Sequence, residues 1–557
     1  MFVGVLGVPV VRAQPLSDSL KVLIVFVKFA DDDEPGEPRI AHRGWPLFED
    51  PETLPRSAPF LLSQSPAISP DDSTLTAYFH QQSQGRMLVF GDVYPRTIVS
   101  SGPEADYHRP KGGYGNLAID VLNQMDAAGL DFSDYDYNRD GLVDHIFLIL
   151  RRDSQKDSRT IAWTGASCLD ARCANGPPVG RYIPPLELDG VLVDWNLSGS
   201  IVFNRVAGNV LPHYWLVRMM AHEIGHDFWR RFFIHIPAIT SNDVPAESNY
   251  NPATNVVGYT LMAGAGGGRD ASGDATISAF ERHLLGWIDC PALSVGIEDV
   301  RIRDLYTTGD CYRLALGAGS RPRELFVANR QRIGPFDRYR RAGVMGQYEM
   351  GLLRTTGLLI GLAERYRYEV LPADNSLVLS VENKAYQGDM YGPGSSTQIT
   401  PWTRPTINGY TTRRISQDIS WQAIDDIRTD PTDRSVILFD YVTDFRRRPV
   451  VREDSWMAWE TRGQTIDAPV RVTNSASLTV ETEVTFTGRV AVESGSTLHV
   501  ERGGRLTLGS AGALSISDAA TLRVDGDLVV GGVLVPQAGS KIEIGPEGRI
   551  RRATASR

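Results

Sequence analysis

The chain has 557 residues, the length of three to four domains, and 42% of them are apolar, which predicts hydrophobic cores of ordinary size. Its 57 basic and 67 acidic residues give a net charge of −10, and no run of Lys and Arg offers a surface for phosphates, so we expect no nucleic-acid partner. No apolar stretch is long enough to cross a bilayer as a helix, so we expect no transmembrane segment.

The first residues predict a leader for export. A short apolar run from Phe2 to Val11 is followed by Ala13, and Val11-Arg12-Ala13 has the small-x-small pattern that signal peptidase accepts before Gln14. We therefore assign residues 1–19 to a signal peptide or leader and expect the protein to be secreted and extracellular.

The four cysteines fall into two local pairs, Cys168 with Cys173 and Cys290 with Cys311. Neither pair has the spacing of a zinc finger, and secreted proteins commonly carry disulfide bonds. We expect two disulfides; the alternative is four buried thiols.

Residues 20–290 predict an α/β domain, because strand and helix patterns alternate along them. The first strand is a continuous β-branched run, which is typical of a strand buried on both faces. The predicted strands are Lys21 to Val27, Met87 to Val93 and His145 to Leu150, and the predicted helices are Leu75 to Gln84 and Asn116 to Ala128.

An acidic loop between the second helix and the third strand follows the calcium-binding loop consensus. Oxygen ligands stand at loop positions 1, 3, 5 and 9, a backbone carbonyl at position 7 and glycine at position 6, where a sharp turn is needed. Phe147 replaces the glutamate expected at position 12, and a strand follows, so we predict a structural calcium site. Its alternative is an acidic turn without metal. The predicted ligands are Asp136, Asn138, Asp140, Leu142 and Asp144.

The strongest motif is His222-Glu223-Ile224-Gly225-His226, which reads H-E-x-x-H. It lies within a predicted helix from Tyr214 to Phe233, and residues four apart share one helix face, so both imidazoles can bind one zinc ion. Glu223 is then placed to act as the general base that activates water. The alternative is a core helix with buried, hydrogen-bonded histidines.

The third zinc ligand is less well defined by the sequence. We favour His235, because imidazole suits zinc and this residue stands just before the helix-breaking Pro237. Glu247 is the alternative, and Asp243 lies between them.

The remaining chain divides into a β-rich domain, residues 291–447, and a repeat segment, residues 448–557. Short strands separated by Gly and Pro turns characterise the first; they are Arg323 to Val327, Gly357 to Leu362, Leu377 to Val381 and Ser435 to Tyr441. In the second, Leu-x-Val pairs and glycines recur every eight to ten residues between Ile466 and Ile550, which predicts a β-solenoid. We expect the solenoid to serve as a spacer or as a means of cell-surface attachment.

Several short segments, in the order in which they follow along the chain, resemble those of a known family. They are Leu20 to Phe29, Ala77-Tyr78-Phe79-x-x-x-Ser83-x-Gly85, the acidic loop with Ile146 to Ile149, His222 to Asp227, Ile277 to Glu281 with Leu285-Gly286-Trp287, Asn329-Arg330-Gln331, and Gly357 to Ile360. Across approximately residues 20–445 the chain resembles the immune inhibitor A family of secreted zinc metallopeptidases.

The resemblance implies a metzincin-like α/β catalytic domain that hydrolyses proteins with zinc. Met262, in the glycine-rich segment Gly258 to Gly264, is similar to the Met-turn of such enzymes. The chain departs from the family after His226, where Phe228-Trp229-Arg230 replaces a glycine turn, and at Ala328, where the family has glutamate. The third ligand therefore cannot be carried over from the family.

These observations predict a secreted zinc-dependent endopeptidase that acts on proteins or peptides, with Glu223 as its catalytic base. Tyr250 and Tyr259 are candidates for stabilising the oxyanion. The competing hypothesis is a cell-surface adhesion or binding protein that keeps a peptidase fold with weak or no activity.

Overall fold

The structure is a computed structural model of the chain. It describes residues 19–32, 54–55, 57–63, 73–107, 114–151, 162–164, 185–194, 198–203, 205–206, 209–210, 213–228, 261, 277–316, 323–331, 349–360, 363–370, 391–392, 396–404, 406–407, 420–458 and 461–553. The predicted leader and the pair Cys168 and Cys173 lie outside these ranges.

The first part of the chain forms a mixed sheet around a buried central strand. The strands of this part are β1 (Ser19–Lys28), β2 (Leu88–Val93), β3 (Ile98–Val99), β4 (His145–Leu150), β5 (Ala162–Thr164), β6 (Leu186–Leu188), β7 (Val191–Val193), β8 (Gly199–Phe203), β9 (Arg205–Val206) and β10 (Asn209–Val210). The main sheet has the order β2-β1-β4-β8-β5, and β3 also pairs with β1. All of its pairings are parallel except that of β5 with β8. The predicted strands at 21–27, 87–93 and 145–150 are confirmed.

The packing of β1 against β2 requires a glycine. Gly91 pairs with Val22 and has φ of 145°, and a Cβ atom there would lie 1.9 Å from the Val22 carbonyl oxygen. Only glycine permits so close an approach of two backbones.

Helices cover both faces of this sheet. They are α1 (Leu75–Gln82), α2 (Tyr114–Ala127) and α3 (His213–Phe228). The chain also has two shorter helices, α4 (Ala279–Leu284) and α5 (Leu305–Thr308), and 3₁₀ turns at Ala58–Phe60, Glu104–Tyr107, Phe132–Tyr135 and Phe445–Arg447. Because side chains alternate along β1, Val22, Ile24 and Phe26 pack with α1 and α3. Leu23, Val25 and Val27 pack with α2 on the other face. Within the described ranges, no helix has the length and apolar character that crossing a membrane requires.

A buried arginine ties three of these helices together. Arg282 on α4 is fully buried, its Nε donates to the carbonyl of Ile277 at 2.8 Å, and its Nη1 donates to that of Leu305 at 3.2 Å. Its Nη2 donates to Oε1 of Gln82 on α1, which also accepts from the backbone N–H of Ile277 at 2.9 Å. A buried guanidinium is tolerated only when its donors are satisfied, so this network fixes α4 against α1.

The predicted β-rich domain follows, and it contains two antiparallel sheets. Its strands are β11 (Ile297–Ile302), β12 (Tyr312–Leu316), β13 (Arg323–Arg330), β14 (Glu349–Ile360), β15 (Ala363–Val370), β16 (Ala423–Thr429) and β17 (Ile437–Val442), in the orders β11-β17-β16 and β12-β13-β14-β15. The strand expected from Gly357 is the end of the longer β14, and the strand expected at 377–381 lies outside the described residues.

A disulfide and a buried asparagine hold this part of the chain together. Cys290 and Cys311 form a disulfide, which confirms that predicted pair. Asn329 on β13 is fully buried, and its Nδ2 donates to the carbonyls of Ile302 and Ser435 at 3.1 and 2.9 Å. Asn329 therefore links β13 to the other sheet.

The predicted C-terminal β-solenoid is confirmed, with five turns of three strands. Its strands are β18 (Val450–Val451), β19 (Ser455–Met457), β20 (Gln464–Ile466), β21 (Val470–Val472), β22 (Ser477–Val480), β23 (Glu483–Phe486), β24 (Arg489–Val492), β25 (Thr497–Val500), β26 (Arg505–Leu508), β27 (Ala513–Ile516), β28 (Thr521–Val524), β29 (Asp527–Val530), β30 (Val533–Pro536), β31 (Lys541–Ile544) and β32 (Arg549–Arg552). Every third strand pairs in parallel, which gives three sheets of five strands. The Leu-x-Val repeat stacks inward, as in the ladder of Leu478, Leu498 and Leu522, all fully buried.

The β-rich domain caps the first turn of the solenoid. Trp402 is fully buried within the solenoid core, with its ring centroid 5.0 Å from that of Phe445. The side-chain amide of Gln398 acts as a substitute peptide group: its Nε2 donates to the Val450 carbonyl at 2.7 Å and its Oε1 accepts from the Arg452 N–H at 2.9 Å. The core and the backbone edge of the first turn are thus both satisfied.

We predict that Trp402→Ala destabilises the solenoid by about 3 to 5 kcal/mol, because it leaves a large cavity at the cap. Trp456, which is half-buried beneath the Arg404 guanidinium, is the matched control, and Trp456→Ala is expected to cost about 1 kcal/mol or less. Calorimetry of the full chain measures both effects. Equal losses for the two variants would contradict a specific capping role for Trp402.

Candidate functional site

The H-E-x-x-H segment lies on α3, as the sequence predicts. The helix runs from His213 to Phe228, and residues 229–233, where the sequence extends it, lie outside the described part of the chain. Its apolar face includes Val217, Met220 and Ile224, all fully buried in the cluster shared with β1. Burial of this face fixes the rotation of the helix about its axis, and with it the position of the motif.

The His222 imidazole is oriented by a backbone carbonyl. Its side chain is 9% exposed, and Nδ1 lies 2.6 Å from the backbone carbonyl oxygen of Leu261. A carbonyl oxygen only accepts, so Nδ1 carries a proton in this contact. Histidines that bind metals are commonly oriented by such a hydrogen bond through their other ring nitrogen.

Glu223 follows on the same helix turn and is 3% exposed. A carboxylate with so little contact with water is a candidate for proton transfer, because bulk water competes little for its lone pairs. His222 and Glu223 are thus brought together at the buried side of α3.

The other predicted members of the zinc site are not placed by the structure. His226 belongs to α3 by its backbone, four residues after His222, but its side chain is outside the described set. His235, Asp243, Glu247, Tyr250, Tyr259 and Met262 also lie outside it. Leu261, the acceptor for His222, immediately precedes Met262 in the glycine-rich segment.

An aromatic cluster holds the C-terminal end of α3. The Phe228 ring stands edge-on to the rings of Phe79 on α1 and Trp287, each at a centroid distance of 5.4 Å. Trp287 follows α4, which the Arg282 network fixes. Our sequence analysis noted Trp287 only as part of the family resemblance, because nothing local shows that it reaches α3.

The predicted calcium loop has a well-defined backbone. Asp136 accepts from the N–H groups of Asp140 and Gly141 at 3.0 and 2.9 Å, Asn138 accepts from Asp140 at 2.8 Å, and Asp140 accepts from Leu142 at 3.0 Å. Gly141 has φ of 85°, which supports the sharp turn expected at position 6. The side-chain oxygens of Asp136, Asn138 and Asp140 therefore hold the loop backbone in its turn.

Asp144 joins this loop to the sheet. Its Oδ2 accepts from the backbone N–H of Lys21 on β1 at 2.8 Å, and its buried Oδ1 has no hydrogen-bond partner. Burial, with a contribution from the charges of Asp136 and Asp140, raises the pKa of Asp144 to about 6. A bound cation would offset this cost, because it favours the charged carboxylate.

Among the described residues, no three His, Cys, Asp or Glu side chains converge closely enough to form a metal site by themselves. The three carboxylates of the predicted calcium loop, Asp136, Asp140 and Asp144, are among the described residues and do not form such a group. The predicted calcium set also includes the Asn138 amide oxygen and the Leu142 carbonyl.

No protein-family profile matches the chain. No curated protein matches it either. The resemblance to the immune inhibitor A family therefore depends on the quoted motifs and stays a prediction.

Proposed function

We propose that this protein is a secreted zinc-dependent endopeptidase with a metzincin-like catalytic domain. The observation that carries the proposal is the hydrogen bond from His222 Nδ1 to the Leu261 carbonyl, which orients the ring as in metal-binding histidines, beside the buried Glu223. The Cys290–Cys311 disulfide agrees with secretion.

The donor set suits zinc. His222 and His226 would hold the ion, together with a third ligand, His235 or Glu247. When bound, zinc acts as a Lewis acid that polarises the scissile carbonyl and makes water more acidic.

The chain's own residues supply the proton transfers. A carboxylate oxygen of Glu223 accepts a proton from the attacking water and then returns it to the nitrogen of the leaving amine. Leu261 holds the His222 ring in one orientation during these steps.

The proposal includes an extended peptide bound along β5. Among the described strands, β5 is the last of the main sheet, and α3 packs against β5 and β8. Edge strands accept extended peptides through backbone hydrogen bonds, which suits an endopeptidase that acts on unfolded or loop segments.

The proposal includes a structural calcium ion in the loop Asp136–Asp144. Its support is the preformed turn and the unpartnered Oδ1 of Asp144. Because Asp144 also accepts from Lys21, the ion would stabilise the beginning of β1.

The solenoid supports an additional role as a spacer or cell-surface attachment. Its outward-facing side chains are mostly polar, and the sequence of this segment offers no candidate base or metal-ligand set. If the catalytic tests below fail, the binding-protein hypothesis takes precedence.

We predict that Glu223→Gln keeps about one zinc per chain but lowers hydrolysis of a protein substrate by roughly 10²-fold or more, because the base and the ligands have separate roles. His222→Ala is expected to lose the zinc itself. Elemental analysis and a casein-type assay measure the two properties.

The matched control is Glu187→Gln, on the exposed position of β6, which is expected to change neither property. Full activity of Glu223→Gln would show that another group is the base, and full zinc occupancy of His222→Ala would exclude that ligand.

We predict that millimolar calcium raises the melting temperature, because an ion that binds only the folded state stabilises it by about 2.7 kcal/mol at a hundred times its Kd. Asp140→Ala is expected to abolish the increase. The exposed Asp134→Asn, just before the loop, is the control and keeps it. An identical melting temperature with calcium and with a calcium-selective chelator would favour a metal-free acidic turn.

We predict that Trp287→Ala weakens zinc binding by roughly tenfold or more, because loss of the ring loosens Phe228 at the end of α3. Trp287→Phe keeps the edge-on contact and is expected to restore most of the affinity. Competition with a zinc chelator measures the change, and unchanged affinity in the alanine variant would exclude a positioning role.

A further inference from the structure

The two ends of the solenoid differ. At the first turn, Trp402 covers the core and Gln398 satisfies the backbone of β18. At the last turn, the inward-facing Ile542 and Ile544 are 41% and 57% exposed. Their counterparts one turn earlier, Leu522 and Val524, are fully buried. The last turn therefore leaves an apolar core open.

The backbone of the last turn is open as well. Strands β30, β31 and β32 are each the last strand of their sheet in the described structure, so one edge of each has no neighbouring strand there. An open edge above an exposed apolar core is the arrangement that repeat proteins normally cover.

We propose that a second copy of this chain covers this end, head to head about a two-fold axis, so that β31 pairs with itself and β30 pairs with β32 of the second copy. Such an axis lies in the contact plane, passes through the middle of β31 and exchanges the other two strands. The pairing is antiparallel, and the interface is closed and self-complementary.

Charge selects the register of the central pair. Outward-facing Lys541 and Glu543 flank inward-facing Ile542 on β31. If Ile542 lies on the axis, Lys541 of each copy stands opposite Glu543 of the other. A shift by one residue along each strand would place Glu543 of one copy opposite Glu543 of the other, and these like charges repel each other.

The outer pairs match in the same register. Leu534 on β30 and Ile550 on β32 both point inward and pack against the solenoid core, and they stand opposite each other in the proposed contact. Val533 and Val535, exposed on the outside, then face Arg551 and Arg549, whose aliphatic stems can cover them.

The rise of the coil also fits this symmetry. A solenoid climbs by one strand spacing, about 4.8 Å, in each turn, so β32 stands higher than β30. The two-fold axis places the low β30 opposite the high β32, and the differences cancel. All three strand pairs therefore have the same spacing.

Two residues of the last turn oppose strand pairing, and both face glycine. Pro536 lacks an N–H group, and Arg552 points inward, where Val530 stands one turn earlier. In this register Pro536 lies opposite Gly548 and Arg552 opposite Gly532 of the second copy. The missing side chains leave room for both.

The test is sedimentation velocity of the full chain between about 1 and 100 µM. A small, partly polar contact predicts a monomer–dimer equilibrium with Kd on the order of micromolar. Lys541→Glu and Glu543→Lys each place like charges opposite each other and are expected to raise Kd by at least tenfold. The double variant, Lys541→Glu with Glu543→Lys, restores the opposite charges and is expected to recover the dimer.

Both substituted residues are exposed, so folding is preserved in each variant. Arg489→Glu, on the exposed outer side of β24, is the control for a change of charge and is expected to leave Kd unchanged. A wild-type protein that stays monomeric at 100 µM overturns the proposal. So does a dimer that both single variants keep, since it would use another surface.

Discussion

Strand β1 buries both of its faces, and the arrangement of the α/β domain follows from that requirement. A strand with Val, Leu, Ile and Phe at six consecutive, fully buried positions needs helices above and below it. The even-numbered side chains from Val22 to Phe26 form one core with α1 and α3, and the odd-numbered ones form another with α2. Helix α3 therefore carries its polar motif on a scaffold that cannot rotate without exposing Met220 or Ile224.

The polar groups of the candidate site are buried, and removing them from water costs free energy. His222 and Glu223 belong to a helix whose other buried residues are apolar, so any polar atom there requires a partner. The Leu261 carbonyl supplies one for His222. The calcium loop meets the same difficulty with Asp144, whose raised pKa reflects burial near two other carboxylates. In both places a cation would turn an electrostatic cost into a stabilising interaction.

Local patterns predicted the parts of this structure that local forces determine. Three patterns each favour one conformation by themselves. They are the β-branched run of β1, the inward Leu-x-Val pairs of the solenoid, and the turn-forming Asp and Gly of the calcium loop. The sequence could not predict that Trp402 caps a core some fifty residues downstream, or that Trp287 supports α3, because those contacts depend on tertiary packing. The sequence could not identify the third zinc ligand for a related reason. His235 and Glu247 both follow the helix in sequence, and several loop conformations could bring either of them to the motif.

The cap formed by Trp402 and Gln398 also bears on the order in which the chain folds. A single solenoid turn cannot bury its own core, so the first one needs a surface already in place. Trp402, Gln398 and Phe445 all precede β18 and leave the ribosome before it, and domains generally fold in the order of their synthesis. We therefore expect the β-rich domain to act as a template on which β18 to β20 form, with each later turn adding to the one before. On this order of folding, a defect in the β-rich domain is expected to prevent the first turn of the solenoid from forming.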